Sequence, residues 1–354
     1  MLETLAEWRP AVDEAIAEVL PREIDEAYLS EFFGPATHRY DADALQRVLA
    51  DPIWELLDRG GKRWRPIVFL LLVEGFGEDR EPYLPYAAIP EILHTGTILV
   101  DDVEDEAKLR RGEPAIHHVY GEDVALNAGN AMYFLPMKIV TRNPAGLDAE
   151  TRLAIFEMLT DELNRTHLGQ GTDIRWHNDA DADPTVEEYL EMCACKTGCL
   201  GRIVARLAAL VTGQSDERER AVARYAEAMS VAFQIGDDIL DVEHSLGEAG
   251  DFGKAFGNDV REGKTTLLVI HALDTASPER AARLREILRA ENNTDDEIRE
   301  AIEILRGSGS VEYARETALD LAATARDHLA EAELADAEAE QLAAFTRFVV
   351  ERDV

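Results

Sequence analysis

Apolar residues recur three and four positions apart along almost the whole chain, while period-two alternation of β-branched residues is scarce. The pattern predicts helices near residues 4–20, 41–59, 64–76, 83–105, 121–140, 148–172, 185–213, 217–244, 265–275, 279–291, 294–307, 310–331 and 336–350. Breaks are expected at Asn143-Pro144-Ala145-Gly146, from Asn178 to Pro184, from Gly247 to Gly263, and at Gly307-Ser308-Gly309. No composition shift marks a boundary, so residues 1–354 are expected to form one all-α domain. The Ala/Glu-rich end, residues 330–345, reads as a plain amphipathic surface helix.

Two of these helices end in acid. The largely apolar run from Ile89 to Val100 is followed by Asp101-Asp102-Val103-Glu104-Asp105, then by Arg110-Arg111-Gly112. A second apolar run is followed by Phe233-Gln234-Ile235-Gly236-Asp237-Asp238-Ile239-Leu240-Asp241. Aspartates four apart project from one helix face, about one turn from each other. Like charges beside an apolar wall are costly unless something positive arrives. Mg²⁺ is usually held by one or two carboxylates together with substrate phosphates, and guanidinium groups match phosphate oxygens bidentately. A chain with 30 aspartates can produce one such triad by chance. Two at the ends of buried helices point instead to facing clusters that hold a magnesium-diphosphate group.

Composition narrows the partners. A formal net charge of −35 excludes nucleic acid and anionic membranes, which need basic patches. Six lysines against thirty arginines and a diffuse acidic excess resemble proteins of high-salt cytoplasms. The longest uninterrupted apolar run, Ile67 to Val73, is far too short for a membrane span. The start, Met1-Leu2-Glu3, has no signal-peptide character, so a cytoplasmic location is expected. Cys193, Cys195 and Cys199 lack a fourth ligand and Cys-x-x-Cys spacing, and read as small buried residues rather than as a zinc site.

The cations that remain are unevenly placed. Gly60-Gly61-Lys62-Arg63-Trp64-Arg65-Pro66 combines flexible backbone with converging basic groups, which suits an anion cradle. Lys196 precedes Thr197-Gly198 inside a helix, and Lys254 and Lys264 flank a glycine-rich segment. His94 lies two turns before Asp101 on the same face. Glu91-x-x-His94 matches half of a di-iron motif, but its second half is missing. With no nucleophile–base pair and no Gly-x-x-x-x-Gly-Lys loop, the chemistry expected is electrophilic: departure of diphosphate with water kept from the cation formed.

In these motifs the sequence resembles the trans-isoprenyl diphosphate synthases over most of its length. The resemblance rests on Gly61-Lys62-x-x-Arg65-Pro66, both aspartate triads, Lys196-Thr197, Gln234, and Gly253-Lys254 through Gly263-Lys264. Lys108 to Gly112, His117 to Tyr120 and Gly169-Gln170-Gly171-x-Asp173-Ile174-x-Trp176 are similar to geranylgeranyl diphosphate synthases of the eukaryotic type. The resemblance implies a single-domain orthogonal helical bundle around a central cavity, working as a homodimer or higher multiple. It implies three Mg²⁺ ions per active site, held by Asp101, Asp102, Asp105, Asp237, Asp238 and Asp241. Arg110, Lys196, Thr197, Gln234, Lys254 and Lys264 would bind the allylic diphosphate, and Lys62, Arg65, His94 and Arg111 the isopentenyl diphosphate. Asp101, Asp105, Lys196, Asp237 and Lys254 would carry the catalytic work: ionisation, attack by the isopentenyl double bond and loss of a proton. In such enzymes bulky residues four and five positions before the first triad stop chain growth early. Here those positions are Thr97 and Gly96, both small, so a geranylgeranyl product is expected, with a longer polyprenyl product as the alternative. Leu93, Pro90, Met132 and Phe134 are candidates for a deeper floor.

Three other readings fit less well. A terpene cyclase would carry an Asn/Ser/Glu-type second metal motif, and a head-to-head synthase would not be expected to have the Gly61-Lys62 loop. A non-catalytic partner subunit usually loses one acidic triad; this chain keeps both.

Overall fold

The computed structural model describes residues 2–61, 63–179, 182–244, 257–290 and 292–350. Among them the chain is helical except for turns and one two-stranded hairpin, so the all-α expectation holds. Long helices fall where the periodicity places them: Leu84–Glu104, Asp216–His244, Ser310–Glu331 and Asp336–Val350. Their starts follow from capping side chains. Thr185 and Thr294 each form a reciprocal capping box, with Glu188 and Glu297. Ser277 caps a helix whose first residue is Pro278.

Among the described residues several local features differ from expectation, including a π-turn at Gln46–Ala50 and a short helix at Asn258–Arg261. Short helices form at Glu26–Phe33 and Ile116–Tyr120, too brief to show a clear period. The stretch expected as one helix over 121–140 divides into Glu122–Phe134 and Met137–Arg142 around Pro136. The helix beginning at Ala149 runs on to Asn178. Within 185–213 the helix carries a π-turn at Ala194–Gly198, one extra residue wide.

The chain divides into two compact units: residues 1–74 with 78–156, and residues 75–77 with 157–354. In the first unit, Leu84–Glu104 is apolar on nearly every side and buries Tyr86, Ile89, Ile92, Leu93 and Leu99. It packs against Leu2–Val19 and Glu122–Phe134. In the second unit, Asp216–His244 packs against Ser310–Glu331 and Cys199–Val211. Among the described residues no helix is long and apolar enough to cross a membrane.

Gly96 belongs to this packing. A Cβ there would lie 2.7 Å from Met132 Cβ and 2.9 Å from the Gly129 carbonyl, and one on Gly129 would lie 2.8 Å from Val100 Cγ2. The two helices touch backbone to backbone, so Gly96 is small because its neighbour leaves no room. Thr97 is half-buried and donates its hydroxyl to the His94 carbonyl at 2.8 Å. Of the deeper candidates, Leu93, Pro90 and Met132 are buried, whereas Phe134 stands 72% exposed. Gly96→Ala should therefore cost about 1–3 kcal/mol of stability by overpacking, while Thr97→Ala stays within about 1 kcal/mol. Denaturant unfolding of the two variants measures the contrast.

Candidate active site

Both aspartate triads adopt one arrangement. At the end of Leu84–Glu104, Asp101 and Asp105 are half-buried on one face, and Asp102 between them is 1% exposed. The inward carboxylate is met by Arg110, whose Nε donates to Oδ1 at 2.8 Å and whose Nη2 donates to the same oxygen. Burial raises the Asp102 carboxyl above its usual range, opposed by Arg110. In Asp216–His244, Asp237 and Asp241 are half-buried and Asp238 is buried. Its carboxylate accepts from the Tyr189 hydroxyl at 2.7 Å and from Gln234 Nε2 at 2.9 Å. Burial and then the Asp259 charge push Asp238 up to about 8, opposed by those two donors. The middle aspartates, expected as metal ligands with their neighbours, thus point inward onto protein donors. The outer pairs stay at the half-exposed face.

Arg110 and Arg111 reach their positions through a hairpin. Leu109–Arg110 pairs with Glu113–Pro114, and Arg111 and Gly112 turn the corner at φ of 56° and 80°. Two consecutive positive φ values are what a two-residue turn needs to match strand twist, and glycine supplies the second without strain. The turn sends the two arginines different ways. Arg110 folds back onto Asp102, while Arg111 Nη1 donates to the Leu56 carbonyl at 2.8 Å and to that of Gly60.

There Arg111 joins a cationic cradle within the first unit. A Cβ on Gly61, whose φ is 127°, would lie 3.0 Å from Arg111 Nη2 and 3.1 Å from Arg63 Nη1, so only glycine fits. Arg63 is 2% exposed and fully engaged, with Glu91 at 3.0 Å, Asp13 at 3.1 Å and the Leu57 carbonyl at 2.9 Å. That bond occupies Glu91, which leaves no place for a di-iron reading of Glu91-x-x-His94. Buried Arg65 lies over the Trp64 ring at 4.3 Å. His94 Nδ1 has no hydrogen-bond partner. Its burial, then the charges of Arg65, Arg111, Arg110 and Arg63, hold the imidazole well below its ordinary pKa. Burial and then Arg63 bring Arg111 down to about 10. Converging cations around a neutral imidazole are of the kind that suits an anion.

In the second unit the π-turn carries Lys196, whose Nζ donates to Asp173 at 2.7 Å. A Cβ on Gly169 would lie 2.3 Å from the Lys196 amide nitrogen. Gly169 and Asp173, four apart on one helix, therefore let the backbone approach and then take the ammonium. Thr197 Oγ1 donates to Gln234 Oε1 at 3.2 Å, and Lys264 pairs with Glu262 at 2.8 Å. Lys62 and Lys254 lie outside the described residues. The three cysteines are buried and unoxidised. Cys199 meets Thr166 at 2.8 Å and Cys195 donates to Glu191 at 3.5 Å, and burial raises all three thiols.

Among the described residues no three His, Cys, Asp or Glu side chains are gathered into a ready-made metal cage. Half-exposed carboxylate pairs without such a cage fit Mg²⁺, which completes its shell with phosphate and water.

A family model described as polyprenyl synthetase matches residues 46–305. A short chain isoprenyl diphosphate synthase of Methanocaldococcus jannaschii is 39% identical over 260 residues, 73% of this chain and 76% of that one. A geranylfarnesyl diphosphate synthase of Natronomonas pharaonis is 32% identical over 342 residues, 92% of this chain and 90% of that one. Among solved structures, geranylgeranyl pyrophosphate synthetase from Pyrococcus horikoshii superposes with a TM-score of 0.83 at 27% identity, covering 99% of each chain.

Two outcomes follow from the cradle. Arg63→Met strands the buried Glu91 carboxylate and should cost about 3 kcal/mol or more in denaturant unfolding. Because His94 resists protonation when folded, the unfolded chain takes up that proton first. Stability should then fall on acidification below the ordinary imidazole value of 6.5. In His94→Gln that decline should be shallower between roughly pH 6.5 and 5, read from melting temperature against pH.

Proposed function

The chain belongs to the polyprenyl synthetase family and is a trans-isoprenyl diphosphate synthase, and from that premise we propose that it makes geranylgeranyl diphosphate by head-to-tail condensation of isopentenyl diphosphate with an allylic diphosphate. The observation that carries the reading is shared by both triads: the outer carboxylates stay at the half-exposed face, and the inner one is spent on protein donors.

In this reading Arg65, His94 and Arg111, with Lys62, hold the diphosphate of isopentenyl diphosphate. Arg110, Lys196, Thr197, Gln234 and Lys264, with Lys254, bind the allylic diphosphate. Asp101 and Asp105, and likewise Asp237 and Asp241, would hold magnesium, with three ions per site; Asp102 and Asp238 serve by fixing Arg110 and Gln234. When bound, the metal neutralises charge that builds on the departing diphosphate. Arg110 and Lys196 are each suited to diphosphate oxygens, and Asp102 and Asp173, each within its own unit, orient those two cations beforehand. We assign residues 1–354 to one isoprenoid-synthase-like domain and the enzyme to the cytoplasm, as a homodimer or higher multiple. Exposed Phe134 and Leu153 are apolar surface of the kind a second copy covers.

Product length is the finer question. The small Thr97 favours growth past farnesyl length, and the Natronomonas pharaonis relative favours a product one isoprene unit longer than geranylgeranyl as the second reading. Purified chain given farnesyl diphosphate, labelled isopentenyl diphosphate and Mg²⁺ should release diphosphate unaided and yield geranylgeranyl diphosphate by chromatography. Failure to release diphosphate would reduce the chain to a partner subunit, and a product that stops at farnesyl would refute the length assignment. Thr97→Phe should shorten the product. Asp101→Asn and Asp237→Asn should each lower kcat/KM by at least about a hundredfold, with melting temperatures close to the parent's.

A further inference from the structure

Tyr189 belongs to none of the motifs that mark the site. Its ring is buried in the core of the second unit, in one cluster with Met192, Val231, Ile235 and Ile239. Its hydroxyl, 2.7 Å from Asp238 Oδ2, is the polar tip of an otherwise apolar anchor. The hydrogen bonds continue: Gln234 Nε2 donates to Asp238 Oδ1 at 2.9 Å, and Thr197 Oγ1 donates to Gln234 Oε1 at 3.2 Å.

We propose that Tyr189 is a positioning residue for allylic-substrate binding, acting through Asp238 and Gln234 on Thr197. The inference rests on the prenyl-transfer reading above and adds to it a residue that contacts no substrate.

The direction of the chain follows from donor and acceptor capacities. Asp238 accepts at both carboxyl oxygens, Oδ2 from the Tyr189 hydroxyl and Oδ1 from the NH₂ end of Gln234. The amide oxygen must then face Thr197, and Thr197 must give it its proton. What Thr197 keeps for its half-exposed side is an oxygen with free lone pairs, the polarity suited to a carbon becoming positive. Tyr189 completes the arrangement because Asp238 is buried and needs a second donor. Without the phenol hydroxyl, Oδ2 lacks its partner and the carboxylate is free to rotate about its Cβ–Cγ bond. The orientation of the amide is then no longer imposed. A purely structural tyrosine would not need a hydroxyl aimed at this carboxylate; its ring already fills the core.

The test is a double-mutant cycle on the purified enzyme, with steady-state constants measured separately for farnesyl diphosphate and isopentenyl diphosphate in saturating Mg²⁺. Tyr189→Phe keeps the ring and should raise KM for farnesyl diphosphate, lower kcat, or both, by about five- to tenfold in kcat/KM. KM for isopentenyl diphosphate should stay within about twofold. Thr197→Val should show a comparable loss, and the double variant should be no worse than Thr197→Val alone, since the relay is already cut at its end. Tyr225→Phe is the control. It removes another buried phenol hydroxyl, one bound to the Leu342 carbonyl at 3.2 Å, and should leave both KM values unchanged. The proposal is overturned if Tyr189→Phe matches the parent. It is equally overturned if the two losses multiply, or if Tyr225→Phe shifts the farnesyl diphosphate constants as much. A parent enzyme that consumes neither substrate would overturn the prenyl-transfer reading and this proposal with it, whereas an active parent with multiplying losses overturns the relay alone.

Discussion

A carboxylate taken out of water must be met by donors, and this requirement organises both acidic segments. On a helix, residues i and i+4 share a face and residue i+1 is turned by about 100°. An Asp-Asp-x-x-Asp sequence at the edge of a buried helix therefore cannot present all three side chains outward. The middle one goes in, as Asp102 and Asp238 do, and whatever satisfies it is fixed as firmly as the core around it. In the first unit that group is Arg110; in the second it is Gln234 together with Tyr189. Motifs that look like rows of metal ligands are thus also the framework that aims their neighbours.

The cradle applies the same electrostatics with the opposite sign. In a protein of net charge −35, a cluster of four arginines whose charges add to burial in lowering the His94 pKa is a local excess maintained against the overall balance. Its maintenance is visible in Arg63, which has Glu91, Asp13 and the Leu57 carbonyl as partners. Arg63 is thereby fixed in place, and its charge still acts on Arg111 and His94. Burial and the charge of Arg63 lower Arg111, and the charges of Arg65 and Arg111 act on His94, so an anion at this cluster would relieve repulsion.

What could be read from the sequence was what depends on near neighbours. Helix periodicity and the pairing of residues four apart are both local, and each is found in place. The inward turn of Asp102 was less visible, because its partner Arg110 comes from a hairpin whose one clear sign is the Arg111-Gly112 corner. Asp173 illustrates the same limit. Its spacing from Gly169 is plain, but its role depends on a π-turn in a different helix bringing Lys196 to it. Nothing local distinguishes that π-turn from the α-helix on either side.

Gly96 shows why small residues mislead arguments about cavity size. A glycine ahead of the first triad has two physical explanations: open space in front of it, or a neighbouring backbone too close for any side chain. From sequence the two are identical. Here Gly96 and Gly129 face each other across a helix crossing with less than 3 Å left for a Cβ at either position, so the second explanation applies. A bulky side chain at Gly96 would separate the helices before it narrowed any channel, and a shortened product from such a variant would report displaced helices as readily as a blocked path. Thr97 has no such conflict. It is half-buried, already carries a Cβ, and its hydroxyl is bound to its own helix. Of the two positions ahead of the triad, Gly96 is therefore the one at which a side chain meets the facing backbone, and Thr97 the one at which a side chain is already accommodated.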